Sequence, residues 1–403
     1  MLYRQNVKNG DSISALGFGC MRYPMAKNGG IDEERTIRLL RQAIEDGVNY
    51  FDTAYVYHMG KSEGVLGRAL ADGYRERVKV ATKLPPQLAR SKEGAAKVLS
   101  TSLERLNTSY IDYYLLHSVA DLSGVKRLFD NGVIAYLEEQ KAKGVIRNLG
   151  FSFHGKKGDF EEILKYYDWD FCQIQYNILD EYNQATRYGL ELAYELNIPV
   201  VIMEPLRGGM LANKVPAEVK KHYDNRSEKR TPAEWALRWV WDHKEVLTVL
   251  SGMSDEEQLS ENIVTASDAP AGCLADDEKE MFKSIREEIL SKTKVPCTGC
   301  HYCMPCPAGV NIPGCFTCYN EKYLLGKHKS GIFKYGQQLG MFAKKPGYAG
   351  QCIECGKCEP ACPQHIEIRK ELKNVRAEFE KSLMFKPVNF VVRTALGLNK
   401  KEK

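Results

Sequence analysis

The sequence predicts an α/β protein: a closed (β/α)8 TIM barrel followed by a small cysteine-rich unit of helices and loops. Three observations carry that expectation. Between about residues 12 and 265, short apolar runs alternate eight times with amphipathic helical stretches, the pattern of a parallel sheet closed on itself. An open doubly wound sheet usually carries a GxGxxG turn after its first strand; here Gly17-Phe18-Gly19 is a fragment of that turn and opens no helix. Ten of the 13 cysteines fall between Cys297 and Cys362, beyond the last repeat.

Taken in order, Ala15–Gly19 is the first predicted strand and Glu33–Asp46 the helix after it, with Gly47 just past its end as a left-handed cap. Tyr50–Asp52 leads to Gly60–Leu70, Val78–Thr82 to Glu93–Leu106, and Ile111–Leu116 to Gly132–Lys143, which Gly144 again terminates. Ile146–Ser152 leads to Asp159–Tyr167 and Phe171–Tyr176 to Tyr188–Leu196. Pro199–Met203 leads to Ala233–Asp242, opened by Thr231 as cap and Pro232 in the first turn. Val249–Ser251 completes the eight strands. Beyond them, Asp276–Lys292 reads as one amphipathic helix with Met281, Ile285 and Leu290 near helical spacing. The stretch 326–350, rich in Gly and Lys, reads as a helix or loop insertion. The expected domains are 1–275 for the barrel, 276–295 for a linker helix, 296–385 for the cysteine-rich unit and 386–403 for a tail.

The cysteines form two runs, CTGCHYCMPCP and CIECGKCEPACP. Cys352, Cys355, Cys358 and Cys362 follow CxxCxxCxxxCP, the thiolate spacing of a cubane [4Fe–4S] centre, in which the fourth cysteine ligates the partner cluster. Cys297, Cys300, Cys303 and Cys306 form the other run, one residue shorter before its last ligand. Two clusters need eight thiolates, and the runs supply them. Structural zinc uses four ligands, usually as two separated CxxC pairs, and does not call for a third cysteine three residues on. Disulfides belong to oxidising compartments, whereas the polar stretch Tyr3 to Ser14 is unlike a signal peptide and the chain before Cys297 carries few cysteines; both observations favour a reducing cytoplasm. Cys315 and Cys318 exceed the ligand count and are expected in the core, with Cys315 the first substitute should Cys306 not serve.

The charge balance, 57 Lys and Arg against 52 Asp and Glu, is too weak and too evenly spread to favour nucleic acid or a membrane surface as partner. No apolar run approaches the roughly 20 residues that span a bilayer. The apolar and then basic stretch 390–403 reads as a docking or frayed helix.

Barrel chemistry sits at the C-terminal ends of strands. There the sequence puts Asp52 in FDTAYVY, Tyr57 in the loop after it, Lys83 in VKVATKL and His117 in YYLLH. A tyrosine hydroxyl can protonate the oxygen of a carbonyl that is receiving hydride, but its ordinary pKa of about 10 makes it sluggish. A lysine ammonium, itself held by an aspartate, lowers that value, and a histidine orients or shares the proton. Each of the four has a plain structural reading alone; together at consecutive strand ends they form a catalytic constellation. Met21, Arg22 and Tyr23 follow the first strand and read equally as a wall of the substrate pocket or as a packed or solvated loop, and Cys20 near the same mouth is expected buried, with a free reactive thiol as the alternative.

FDTAYVY, TKL, LLH, GFSFHG, QIQYN, MEPLRGGML and SGMSDEEQLSENI stand in an order that resembles the aldo-keto reductases across residues 13 to 265. The cysteine segment, including MPCPAGVNIP, resembles the ferredoxin-like extension of an iron–sulfur branch of that family. The resemblance implies a tetrad of Asp52, Tyr57, Lys83 and His117 with Tyr57 as proton donor. It also implies a nicotinamide across the barrel mouth, with Ser152 and Gln175 near its carboxamide and Pro205, Leu206, Gly208 and Leu211 beside the pyrophosphate. Gly252, Gln258, Glu261 and Asn262 would face the adenosine end. Three positions depart from the family pattern: Phe153 where Asn often follows the serine, Met203 where an aromatic often stacks, and uncharged Gly252 and Gln258 where basic residues often hold a 2′-phosphate. NAD(P)H is thus implied with NAD and NADP both open.

The tetrad handles a two-electron hydride step, whereas a [4Fe–4S] centre passes one electron at a time. The leading expectation is an NAD(P)H-dependent reductase of small-molecule carbonyls that carries two [4Fe–4S] clusters, whose role is open between feeding electrons from a ferredoxin to the barrel site, exchange with a ferredoxin-type partner independent of it, and a structural staple. The alternative is an electron-transfer protein whose barrel is a binding scaffold or houses a flavin, although no flavin fingerprint is present.

Overall fold

The barrel strands of the computed structural model, which describes residues 1–156, 158–213, 215–324, 331–342, 345–382 and 385–395, are preceded by a short hairpin. The hairpin pairs β1 (Tyr3–Gln5) with β2 (Ser12–Ser14) in antiparallel fashion. The barrel then runs β3 (Leu16–Gly19), β4 (Tyr50–Asp52), β5 (Lys79–Leu84), β6 (Ile111–Val119), β7 (Ile146–Phe153), β8 (Phe171–Gln175), β9 (Val200–Met203) and β10 (Val246–Ser251). All neighbours are parallel, and β10 pairs back onto β3 to close the ring.

Four strands run further than the sequence led us to expect, β7 by one residue to Phe153, β10 from Val246, and β5 and β6 at the ends that carry the site. β5 reaches Leu84 and β6 reaches Val119, because the ladder continues through Lys83 opposite Leu115 and Leu84 opposite Leu116. It then skips one register before Val119 pairs with Phe153. Lys83 and His117 therefore sit within strands rather than after them. The irregularity at β6 falls on Ser118, whose φ of 54° is left-handed; a bulge of this kind bends the strand and re-aims the neighbouring side chain, here His117.

The hairpin was missed in the sequence, where residues 3–14 read as a polar stretch. Its polar residues are spent on the barrel floor. Asn6 donates to the Tyr113 hydroxyl at 3.1 Å, that hydroxyl donates to Asp11 at 2.7 Å, and Lys79 donates to Asp11 at 2.6 Å. Arg4 donates to the carbonyls of Trp241, His243 and Val246. Above this floor Ile13, Tyr50, Tyr113, Phe171 and Leu247 fill the interior. With that end plugged, the opposite end is the open mouth.

The chain divides into Met1–Leu206 with Ala233–Phe282, and Arg207–Pro232 with Lys283–Lys403. The division falls inside the helix Asp276–Lys292 rather than at either end of the expected linker. On that helix Met281, Phe282, Ile285 and Ile289 are buried, while Leu290 is 45% exposed, so Ile289 takes the place expected for Leu290.

The second unit builds its own core from Phe316, Tyr335, Leu372, Phe379 and neighbours, with the Tyr335 and Phe379 rings stacked 4.5 Å apart. Its helices include Ile312–Leu324, Gly331–Gln338, Ile368–Phe379 and Phe385–Ala395. Residues 325–330 and 343–344 of the expected insertion, and 396–403 of the expected tail, lie outside the described residues. No helix among the described residues is long and apolar enough to cross a membrane.

Candidate functional site

At the barrel mouth, Lys83 on β5 donates to the Asp52 carboxylate at the end of β4 at 2.5 Å and to the Thr53 carbonyl at 2.8 Å. The ion pair is buried, with the lysine side chain 1% exposed. Burial pushes the Lys83 amine below its ordinary value, and Asp52 pulls it back. Gln173 on β8 donates to the second Asp52 oxygen at 2.9 Å, so both oxygens of this buried carboxylate are satisfied. The Lys83 ammonium lies 4.9 Å from the centre of the Tyr57 ring. The His117 ring meets Tyr57 edge-on at 5.8 Å. Asp52, Tyr57, Lys83 and His117 thus converge. His117 is held well below its ordinary pKa by burial, then by the Lys83 charge and by His154, so its imidazole is neutral near pH 7.

Tyr57 stands at the start of a tight turn in which His58, Met59 and Gly60 have φ of 50°, 55° and 85°. Two consecutive left-handed residues other than glycine cost ~1–2 kcal/mol each, so the surroundings must hold them. The His58 ring stacks on Tyr23 at 5.0 Å, and its Nε2 accepts from the Tyr23 amide at 3.3 Å. Tyr23 is therefore a buried support of the turn rather than a pocket wall. Cys20 is fully buried with its thiol pushed up to about 12 by burial, so it is not a reactive group.

The positions expected to meet a nicotinamide fall into two groups. Ser152 and Gln175 are both at the mouth ends of strands and both buried. The Ser152 hydroxyl accepts from the Ser118 amide at 2.8 Å, and the Gln175 amide donates to Asp180 at 2.8 Å. Asn262 donates to Ser251 at 3.1 Å, and the Gln258 side chain is held by Ser254 and Asp255. Gly252 has the Arg22 side chain against it, 3.1 Å from where a Cβ would stand. The helix Glu256–Ser267 opens with Asp255 as its cap and Glu256 and Glu257 in its first turn, Glu256 pairing with Arg35; Glu261 lies on this helix. Pro205 and Leu206 end the first unit's segment, and Gly208 and Leu211 belong to the second unit. The strand-end polar groups fit a nicotinamide at the mouth.

The cysteines of the second unit line two cavities. One is bounded by Cys297, Cys300, Cys303 and Cys362, the other by Cys306, Cys352, Cys355 and Cys358, with Cys303 also on its wall. Each run thus sends its fourth cysteine to the other's cavity. Electrostatics sorts Cys303 into the first set: burial, then Cys300, Cys297 and Cys362, push its thiol up to about 12. Burial, Glu359, Cys352 and Cys306 likewise push Cys358 up. Crowded thiols that resist ionisation until a cation arrives are the donor set a cubane cluster needs, and they fit it. Among the described residues no three His, Cys, Asp or Glu are grouped to hold a single metal ion. Cys315 and Cys318 are buried in the core, directed at the Gly347 carbonyl and at Gln338.

Gln173 was missed in the sequence, although it alternates with Gln175 on one face of an otherwise apolar strand, and a polar residue at that period is a legible signal. His154 is an electrostatic neighbour of His117.

Comparison with known proteins agrees with these two sites. Residues 15–270 match the Aldo/keto reductase family and residues 296–367 a 4Fe-4S dicluster domain. The NADH-specific methylglyoxal reductase of Escherichia coli (strain K12) is 28% identical over 324 residues, spanning 68% of this chain and 96% of that protein. The oxidoreductase YqkF of Bacillus subtilis (strain 168) is 27% identical over 309 residues, spanning 70% and 95%. The holo form of the aldo-keto reductase AKR11C1 from Bacillus halodurans superposes with a TM-score of 0.60 at 29% identity, covering 71% of this chain and 96% of that one. An aldo/keto reductase from Klebsiella pneumoniae in complex with NADP and acetate, 23% identical with a TM-score of 0.58 and covering 71% and 96%, shares the fold. The chain is an oxidoreductase that belongs to the aldo/keto reductase family, its barrel followed by a 4Fe-4S dicluster domain.

Proposed function

We propose that this protein reduces small carbonyl compounds with a nicotinamide dinucleotide, with Tyr57 giving its proton to the carbonyl oxygen. The observation that carries this reading is the buried Lys83–Asp52 pair beside Tyr57 and His117. A bound nicotinamide supplies hydride. Tyr57 supplies the proton, and the Lys83 ammonium stabilises the charge left on its oxygen. Asp52 and Gln173 keep that ammonium charged and in place. Neutral His117 orients the oxygen without competing for the proton.

The acidic first turn after Asp255 and the uncharged Gly252 and Gln258 support NADH over NADPH. The relative that reduces methylglyoxal makes that aldehyde the first substrate to try. Cys297, Cys300, Cys303 and Cys362 hold one [4Fe–4S] cluster in this reading, and Cys306, Cys352, Cys355 and Cys358 a second. They exchange single electrons with a ferredoxin-type partner, and their thiol ligation suits a reducing cytoplasm.

Titration with NADH and NADPH, then turnover with methylglyoxal and a panel of aldehydes and ketones, tests the proposal. Submicromolar to micromolar NADH binding and Tyr57-dependent turnover are expected. Full turnover by Tyr57→Phe would sink it. A second reading, in which the barrel is a scaffold for an electron-transfer protein, is favoured by the internal bonds of Ser152 and Gln175 and by Phe153. Absence of binding by either dinucleotide would select it.

A further inference from the structure

Tyr57 sits in a segment that its own burial does not hold. Val56 is 40% exposed and Met59 93% exposed, and the backbone from His58 to Gly60 is left-handed throughout. Beneath it lies a charged pair that the chemistry above does not use. Glu63, on the helix Ser62–Ala69, is fully buried. One of its oxygens accepts from the Thr82 hydroxyl at 2.7 Å, and the other from Arg105 at 3.1 Å. Thr82 is the residue before Lys83 on β5.

Arg105 stands at the end of the helix Lys92–Leu106 and touches both ends of the Tyr57 segment. It donates to the Tyr55 carbonyl at 3.1 Å and covers the Tyr55 ring at 4.4 Å. At the other end its guanidinium lies 3.3 Å from where a Cβ on Gly60 would be. The approach is made available by Gly67, where a Cβ would lie 2.6 Å from the Arg105 carbonyl. A larger residue there would separate the two helices and lift Arg105 away.

We propose that the Glu63–Arg105 pair is a positioning device that holds Tyr57 over Lys83 by clamping the backbone at Tyr55 and Gly60. This rests on the reading of Tyr57 as proton donor, and it goes beyond it by assigning two residues outside the mouth. One Arg105 nitrogen, Nη1, donates to both Glu63 and the Tyr55 carbonyl, while the planar group as a whole covers the Tyr55 ring and fills the space beside Gly60; an ammonium keeps the charge but not that flat cover. Glu63 in turn ties that group to the strand that carries Lys83, so proton donor and cation share one anchor.

The test is Arg105→Lys, which retains the charge opposite Glu63, with Glu63→Gln as a second variant that retains an acceptor for Arg105. In Arg105→Lys, kcat for carbonyl reduction is expected to fall by about 10- to 100-fold, the loss typical of a misplaced reacting group. The KM for the dinucleotide stays within about twofold, and the alkaline limb of the kcat profile moves, because Tyr57 and Lys83 no longer share an environment. Amide hydrogen exchange of residues 55–61 should accelerate at least tenfold in the same variant while that of β4 and β5 stays unchanged. Glu63→Gln should fall between the two proteins in both readouts. Unchanged exchange at residues 55–61 in Arg105→Lys would overturn the proposal, as would a general loss in which β4 and β5 exchange faster as well. Accelerated exchange without loss of kcat, together with an active Tyr57→Phe, would refute the donor role of Tyr57 and leave the clamp standing.

Discussion

The barrel mouth and the cysteine unit handle buried polar groups in opposite ways. At and just behind the mouth two buried carboxylates have their partners within the protein: Asp52 has Lys83 and Gln173, and Glu63 has Thr82 and Arg105. In the cysteine unit the thiols pack on an apolar core, and burial pushes Cys303 and Cys358 away from the ionised form that iron requires. The first site is complete as folded protein, and the second is completed by what it binds. Secondary structure builds the one, and ligation the other.

The largest effect that separates the two is expected from Tyr57→Phe. Turnover should drop by about 100- to 10,000-fold, the usual contribution of a positioned acid, with iron content and melting behaviour unchanged. Stopped-flow reduction of methylglyoxal alongside iron analysis checks both halves. Persistence of turnover would mean that the mouth is not the reactive centre.

Next comes ligand loss. Anaerobically purified protein should hold about eight irons, and Cys306→Ala should lower this to about four, whereas Cys315→Ala should leave it unchanged. Chelation should erase the thermal transition of the cysteine unit while the barrel transition stays in place. Two transitions moving together would break the contrast between a pre-built and a ligated site.

A smaller effect concerns acid. The folded protein holds the His117 imidazole well below its ordinary pKa, whereas the unfolded chain takes up that proton below a pH of about 6.5. Barrel stability therefore falls as pH drops through that value and is indifferent to this group above it, with a slope of up to about 1.4 kcal/mol per pH unit. Denaturant titrations between pH 7 and 5 should show this slope flattened in His117→Asn. The smallest change is expected from Gln258→Arg, which should tighten NADPH about tenfold through one charge-assisted contact and leave NADH unchanged.

Much of this was legible in the sequence, for reasons that differ by site. The strand alternation reported the barrel because each strand is buried on both sides and each helix on one. Asp52, Tyr57, Lys83 and His117 were legible because strand ends are recognisable locally. The cysteine spacing also carried the expected crossing of Cys362, since a cubane's ligand rule is written in short intervals, whereas Cys306 falls one residue short of that rule and only the fold puts it on the other run's cavity. What escaped depends on partners distant in the chain. Glu63 reads as an ordinary surface helix acid until the neighbouring helix end delivers Arg105, 42 residues away. The hairpin reads as polar linker until Tyr113 meets Asn6 and Asp11, more than 100 residues on. The bulge at Ser118 has no side-chain signature, because the register of β7 imposes it.

The hairpin floor also says something about the order of assembly. Asp11 waits for Lys79 and Tyr113, and Arg4 for carbonyls 237 to 242 residues later, so a segment that precedes the barrel in the chain is among the last to find its place. Closing loops of that length before any contact rewards them is slow. Until β10 arrives, the half-built sheet keeps an open lower end and two unpaired edges. The barrel is thus most exposed to misassembly during its own synthesis, and docking of the hairpin marks the moment that exposure ends.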